Sequence, residues 1–174
     1  MKVRPETPAD EAAVRSVVVD AFESEKVAEL LDDLRTGPTW LGVSFVAERA
    51  GKIVGHVAYS RAWVDSPERL LDVLLLSPMS VRPDAQGSGV GTELVTKSLA
   101  LVRDRDEPLV FLEGSPAFYT RFGFEPGASL GFTAPSVRIP ARAFQVLTLP
   151  SYRPWMTGAL VYPDAFWRHD AVGP

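Results

Sequence analysis

A single α/β domain is the architecture that this sequence of 174 residues predicts. Three observations lead there. The length suits one domain of the usual order of ~150 residues. Segments with a helical apolar period alternate with extended apolar segments along the chain. A glycine-rich turn lies where a predicted strand gives way to a predicted helix. No internal repeat and no linker interrupts this order, so the expected domain is residues 1–174.

The elements follow in order. Lys2 to Arg4 reads as a short opening strand, and Pro5 and Pro8 keep the chain extended until Thr7 or Asp10 caps a helix. Val14, Val17, Val18, Ala21 and Phe22 recur at helical spacing and form one apolar stripe. Val27, Leu30, Leu31 and Leu34 repeat that spacing in a second helix, which Gly37-Pro38 ends. Phe45–Arg49 and Lys52–Ala62 flank Ala50-Gly51, a tight connection with glycine for a positive φ, and predict a β-hairpin. His56 shares a face with Val54 and Ala58 and reads as a packing histidine.

Leu70 to Val81 has the apolar run of a central strand. Pro78 interrupts it, and because proline has no ladder donor, a bulge or a splay between neighbours is expected there. Such a gap is either local irregularity or a place where a ligand enters the sheet. Helical spacing returns from Gly89 to Arg103, with Leu94, Val95, Ser98 and Val102 on one side. Leu109 to Leu112 is then a short buried strand, and Ser115-Pro116 opens a short helix through Phe122. In the proline-rich remainder, Phe144 to Leu149 and Ala159 to Tyr162 are the expected strands.

Composition removes several function classes. Apolar types at 46% and charged types at 23% are those of a protein with a packed core, not of a disordered chain. A net charge of −4 lacks the basic surplus that sequence-independent phosphate binding wants, so nucleic acid is not an expected partner. With no cysteine there is no disulfide framework, thiolate metal site or cysteine nucleophile, and two histidines without nearby ligand spacing predict no metal site. No apolar run approaches the roughly 20 residues of a membrane helix, and the opening residues have no secretory pattern. A soluble, cytoplasmic protein is expected, with no membrane partner.

The stretch that carries chemistry is Val81-Arg82-Pro83-Asp84-Ala85-Gln86-Gly87-Ser88-Gly89-Val90-Gly91-Thr92. Its glycines strip side chains from a turn that feeds a helix N-terminus, where free N–H groups and the positive end of the helix dipole favour an anion such as phosphate. A turn that uses glycine for geometry alone is the bland alternative. The dinucleotide fingerprint Gly-x-Gly-x-x-Gly fails here, because Thr92 or Leu94 falls at the third glycine. The phosphate loop of nucleotide triphosphatases fails too, since Thr96 precedes Lys97-Ser98 where glycine is required.

What fits is Gln-x-x-Gly-x-Gly, here Gln86, Gly89 and Gly91, preceded by Leu76-x-Pro78-Met79-x-Val81-x-Pro83. This resembles the acetyl-CoA-binding motif of the GNAT superfamily of N-acetyltransferases. Downstream, Gly114-Ser115-Pro116-Ala117-Phe118-Tyr119-Thr120-Arg121-Phe122-Gly123-Phe124 is similar to that superfamily's last helix, its tyrosine and its closing Gly-Phe. The order of elements agrees, and the likeness covers residues 1 to 125 well. It extends more loosely to Phe166, where Val161-Tyr162-Pro163-x-x-Phe166 resembles a branch of uncharacterised bacterial members.

The resemblance implies a mixed, mostly antiparallel twisted sheet of about six to seven strands, with helices on both faces and a splay between the fourth and fifth strands. It implies acetyl-CoA as cosubstrate. The pyrophosphate would sit on Gln86, Gly87, Ser88, Gly89, Val90, Gly91 and Thr92, and Met79, Ser80 and Val81 would supply backbone groups to the pantetheine arm or the oxyanion. The implied reaction is direct acetyl transfer from the thioester to a primary amine of a small molecule or peptide, which needs a neutral amine, an oxyanion donor and a proton for the thiolate.

Tyr119 matches the family tyrosine, four residues before Gly123, and is the candidate general acid. Glu113 is the carboxylate of this region that could act as base, and a salt-bridged or solvent-facing strand end is its alternative. Asp72 and Glu68 are weaker options, and relatives that use a water chain need no such residue. Phe118 stands where a second tyrosine often precedes the catalytic one, which removes a hydrogen bond and leaves Tyr119 in place. The acceptor site of this fold would draw on Trp40, Tyr152, Trp155 and Trp167, residues that core packing explains equally well. A homodimer through an exposed strand fits such a sheet. Two other readings stay open: an acyl-CoA-binding or sensing domain without turnover, and, less favoured, a dinucleotide-binding protein.

Overall fold

A computed structural model describes residues Met1–Pro174. The chain forms two compact units, one of Met1–Tyr59 with Ser77–Val102 and one of Ser60–Leu76 with Arg103–Pro174. The elements are β1 (Lys2–Pro5), α1 (Glu11–Phe22), α2 (Glu25–Thr36), β2 (Trp40–Arg49), β3 (Lys52–Asp65), β4 (Leu70–Val81) and α3 (Val90–Val102). They continue with β5 (Leu109–Glu113), α4 (Pro116–Tyr119), β6 (Glu125–Pro126), β7 (Phe132–Thr133), β8 (Phe144–Thr148), β9 (Gly158–Val161) and α5 (Asp164–Arg168). Strands β3 and β4 each contribute residues to both units.

In the first unit the hydrogen-bonded order is β1-β2-β3-β4, with β1 antiparallel to β2 from Lys2↔Glu48 to Pro5↔Phe45. Ala50 and Gly51 both have positive φ, 49° and 74°, the backbone twist that a two-residue hairpin turn demands. Val14, Val18, Ala28, Leu31, Val46 and Ala58 form one core cluster, against which Val19, Val27, Trp40 and Ile53 pack. The stripe of α1 reaches only Val18: Phe22, expected on it, is 44% exposed, because Glu23 turns the chain left-handed and ends the helix there. Strand β2 starts at Trp40, five residues before the expected Phe45, because Gly42 and Ser44 break the apolar alternation without breaking the strand.

The second unit has the order β4-β5-β8-β6, with β9 on β3 and β7 on β9. Its pairings are antiparallel at β5–β8, β6–β8 and β3–β9, and parallel at β4–β5 and β7–β9. The sheet is thus mixed and mostly antiparallel, as expected, but it has nine strands rather than six to seven. The additions include β6 and β7, two residues each and too short to leave a periodic signal. The β4–β5 ladder holds only Leu74↔Val110 and Leu75↔Phe111, although β4 runs on to Val81 and β5 to Glu113. Pro78 does not end β4; the strand passes through it with a cis Ser77–Pro78 peptide.

His56 is buried at 0% exposure in the first unit and is more than a packing residue. Its Nε2 lies 2.8 Å from Ser44 Oγ and 3.2 Å from Glu6 Oε2; Ser44 also donates to Glu6, which pairs in turn with Arg35. The His56 Nδ1 is buried without a partner. A neutral ring with its proton on Nε2 suits this, since a bare acceptor is less costly to bury than an unmatched N–H. Burial drives the His56 pKa down. Burial alone would raise the Glu6 carboxyl, but the hydrogen bonds from His56 and Ser44 and the Arg35 charge outweigh it and hold Glu6 below the usual carboxylate range.

Candidate functional site: a glycine turn and a buried tyrosine

In the first unit β4 ends at Val81, a single 3₁₀ turn follows over Pro83–Ala85, and α3 begins at Val90. Arg82 N–H still reaches Val54 O at 3.0 Å, so the turn springs from a paired strand end. Gly87 and Gly89 have φ of 70° and 87°, and a Cβ on either would meet no other part of the chain. Glycine is required there for the left-handed backbone and not for packing. Residues Gln86 to Gly89 are exposed. The first helical bond of α3 runs from Glu93 N–H to Gly89 O, which leaves the amides of Val90, Gly91 and Thr92 ahead of the ladder.

Side chains brace this turn from within. Gln86 Nε2 donates to Val81 O at 3.1 Å, and Ser88 Oγ donates to Ala85 O at 2.6 Å. Gln86 therefore holds the strand end, a role that its place in the motif does not reveal. Met79 is half-buried, and Ser80 is 2% exposed with its hydroxyl unpartnered. Arg82 pairs with Asp20 at 3.3 Å and with Asp84 at 3.1 Å, beside a 450 Å³ cavity.

In the second unit β5 delivers Glu113 and Gly114 to the start of α4. Gly114 N–H donates to Ala143 O at 2.9 Å, and Gly114 O accepts from Gln145 Nε2 at 2.8 Å. Ser115 stays extended, Pro116 opens the helix, and Gly123 closes the following 3₁₀ turn with φ of 92°. Tyr119 is 7% exposed, its ring set edge-on to Phe118 at 4.9 Å and to Phe124 at 5.7 Å. Burial pushes its pKa up to about 12. The phenol stays protonated through the physiological range, and its hydroxyl makes no hydrogen bond within the chain.

Glu113 does not end at solvent or in an ion pair. Its Oε1 accepts from Tyr162 OH at 2.8 Å and its Oε2 from Gly173 N–H at 3.2 Å. Burial raises its pKa above the usual carboxylate value despite these donors, and burial likewise raises that of Tyr162. With Ser115, Pro140, Arg142 and Gly173 it lines a cavity of 600 Å³. Sequence reasoning missed Tyr162, Gly173 and Gln145 as neighbours of this strand end. Buried Gln145, at 1% exposure on β8, is a polar residue in an apolar strand and was the available signal.

Asp72 lies 3.6 Å from Arg61 and is exposed, and Glu68 sits in an exposed turn. Trp40 packs against the core of the first unit. Trp155 lies under the Arg69 guanidinium at 5.6 Å, and Trp167 on α5 is 43% exposed. No group of three or more metal-ligating side chains forms, and no helix is long and apolar enough to cross a membrane.

Comparison with known proteins places this arrangement. Residues 2–127 match the model of the acetyltransferase (GNAT) domain. The chain is 36% identical over 135 residues to the uncharacterised N-acetyltransferase YjhQ of Escherichia coli K12, covering 72% of this chain and 71% of that one. Its structure resembles that of E. coli YhbS, a GNAT family N-acetyltransferase solved in complex with CoA, with a TM-score of 0.86 and 29% identity over 96% of this chain and 92% of that one. It also resembles a GNAT family acetyltransferase of Brucella melitensis solved with acetyl-CoA, with a TM-score of 0.76 and 30% identity over 95% and 97% of the two chains. The chain belongs to the GNAT acetyltransferase family and is an N-acetyltransferase.

Proposed function

We propose that residues 1–174 act as one N-acetyltransferase domain that moves an acetyl group from the thioester of acetyl-CoA directly to a primary amine of a small molecule or peptide. The observation that carries this reading is the exposed turn from Gln86 to Gly89, whose two left-handed glycines leave the amides of Val90, Gly91 and Thr92 ahead of the α3 ladder. Those amides and the helix dipole suit a pyrophosphate. The relatives solved with CoA and acetyl-CoA support the same ligand. Backbone groups of Met79, Ser80 and Val81 take the pantetheine arm and the oxyanion in this reading.

Tyr119 is the proposed proton donor to the departing thiolate. Its buried, unshared hydroxyl remains protonated, and donation concerted with C–S cleavage lets so weak an acid act. Glu113 is the proposed acceptor of the amine's proton, because burial raises its pKa above the usual carboxylate value while each oxygen, bound once, keeps a further lone pair.

Calorimetric titration of the full chain with CoA, acetyl-CoA and NAD at one salt concentration tests the reading. Tight binding of both CoA species and not of NAD is expected, and so is its loss in Gly89→Val, whose side chain resists φ of 87°. A screen of primary amines for acetyl-CoA-dependent thiol release follows. Binding without transfer to any amine would favour a sensing domain, and no CoA binding would end the proposal.

A further inference from the structure

The first unit has five arginines, and four of them are spent on carboxylates: Arg4 on Asp10, Arg15 on Glu25, Arg35 on Glu6 and Arg82 on Asp20. Arg49 is the exception. It stands at the end of β2, beside the hairpin turn, and its Nη2 donates to Ser88 Oγ at 3.2 Å, 39 residues away in the chain. Its other neighbour is Met1 Sδ at 4.0 Å. The Ser88 hydroxyl gives its own proton to Ala85 O, so its oxygen is free to accept from Arg49. A guanidinium with no carboxylate partner is thus tethered to the middle of the glycine turn.

We propose that Arg49 is a phosphate ligand: its free N–H groups bind a phosphate of the CoA held on the turn, closing it from the hairpin side. The inference rests on the reading of the turn as the CoA site. A guanidinium offers several N–H groups in a planar fork that matches two phosphate oxygens, and one bond to Ser88 leaves most of that fork available. Backbone amides from Val90 to Thr92 bring no formal charge, and within this unit the nearby Arg82 is neutralised by Asp20 and Asp84. Arg49 supplies the countercharge that the turn itself lacks.

The test is calorimetric titration of full-length wild type, Arg49→Ala and Arg49→Lys with CoA, dephospho-CoA and pantetheine across a salt series. Arg49→Ala is expected to weaken CoA about tenfold and to flatten the dependence of affinity on salt, since one fewer phosphate is neutralised. Arg49→Lys recovers part of the loss, and pantetheine, which has no phosphate, binds all three proteins alike. A penalty that persists with dephospho-CoA puts Arg49 on the pyrophosphate, and one that vanishes puts it on the 3′-phosphate. Equal CoA affinity of Arg49→Ala and wild type overturns the inference alone, whereas a wild type that binds no CoA overturns the reading of the turn with it.

Discussion

Gly114 lies against the ring of Tyr119 so closely that a Cβ on Gly114 would come within 2.4 Å of Tyr119 Cε2. The glycine at the strand end thereby fixes where the tyrosine can stand. Gly114→Ala is expected to displace the ring and to cost about 1–3 kcal/mol by overpacking. Urea denaturation reads the stability loss. A drop in acetyl transfer larger than any change in CoA affinity, measured on the folded variant, would show that the ring's position matters to turnover.

Tyr119→Phe removes a hydroxyl that has no partner in the chain, so stability should change by less than about 1 kcal/mol. The rate of acetyl transfer should fall by about 10²–10⁴-fold if the phenol donates the proton. CoA affinity should hold. Because burial pushes the phenol to about 12, Tyr119 should also produce no alkaline limb in the rate profile below about pH 11. Unchanged transfer in the variant would end the general-acid assignment.

Glu113 has a raised pKa in the folded chain, so the folded protein holds this proton more tightly than the unfolded one. Its contribution to stability is present below the unfolded carboxylate value near 4.3 and is lost as pH rises through the folded value. Glu113→Gln, always neutral, is therefore expected to gain stability relative to wild type as pH rises above about 4.3, read as a growing difference in melting temperature. Its rate of transfer separates the two roles: a loss of about 10²-fold or more marks a base, and a near-normal rate marks an anchor for Tyr162 and Gly173.

His56 gives the opposite slope from a group that is lowered. The unfolded ring takes up a proton near pH 6.5 while the buried ring resists it, so stability should fall as pH drops below about 6.5. Glu6, held low, adds a further loss at more acid pH. Denaturation midpoints at pH 7.5 and 5.5 should differ in wild type, and His56→Gln, which cannot take up that proton, should lose most of the difference.

Much of the fold was legible because it rests on short-range rules. The stripes Val14-Val17-Val18 and Leu30-Leu31-Leu34, the turn at Ala50-Gly51, the left-handed Gly87 and Gly89 and the opening of α4 at Pro116 each depend on torsions and spacings within a few residues. The candidate turn was found on the same basis, whereas Tyr119 was found through the resemblance of Gly114 to Phe124 to the family's last helix. Two-residue strands such as β6 and β7 escape because they are too short to show a period, and their pairing depends on a distant partner.

The sequence by itself determined the order of the longer elements, the glycine turn at the head of α3 and, through the family resemblance, the tyrosine four residues before Gly123. Only the tertiary structure decided what the polar groups do: Glu113 meets Tyr162 across 49 residues and Gly173 across 60, His56 meets Glu6 across 50, and Arg49 meets Ser88 across 39. Local spacing encodes backbone torsion and which face is apolar. Which donor finds which acceptor depends on where strands pair and the chain closes, and that is a property of the folded molecule as a whole.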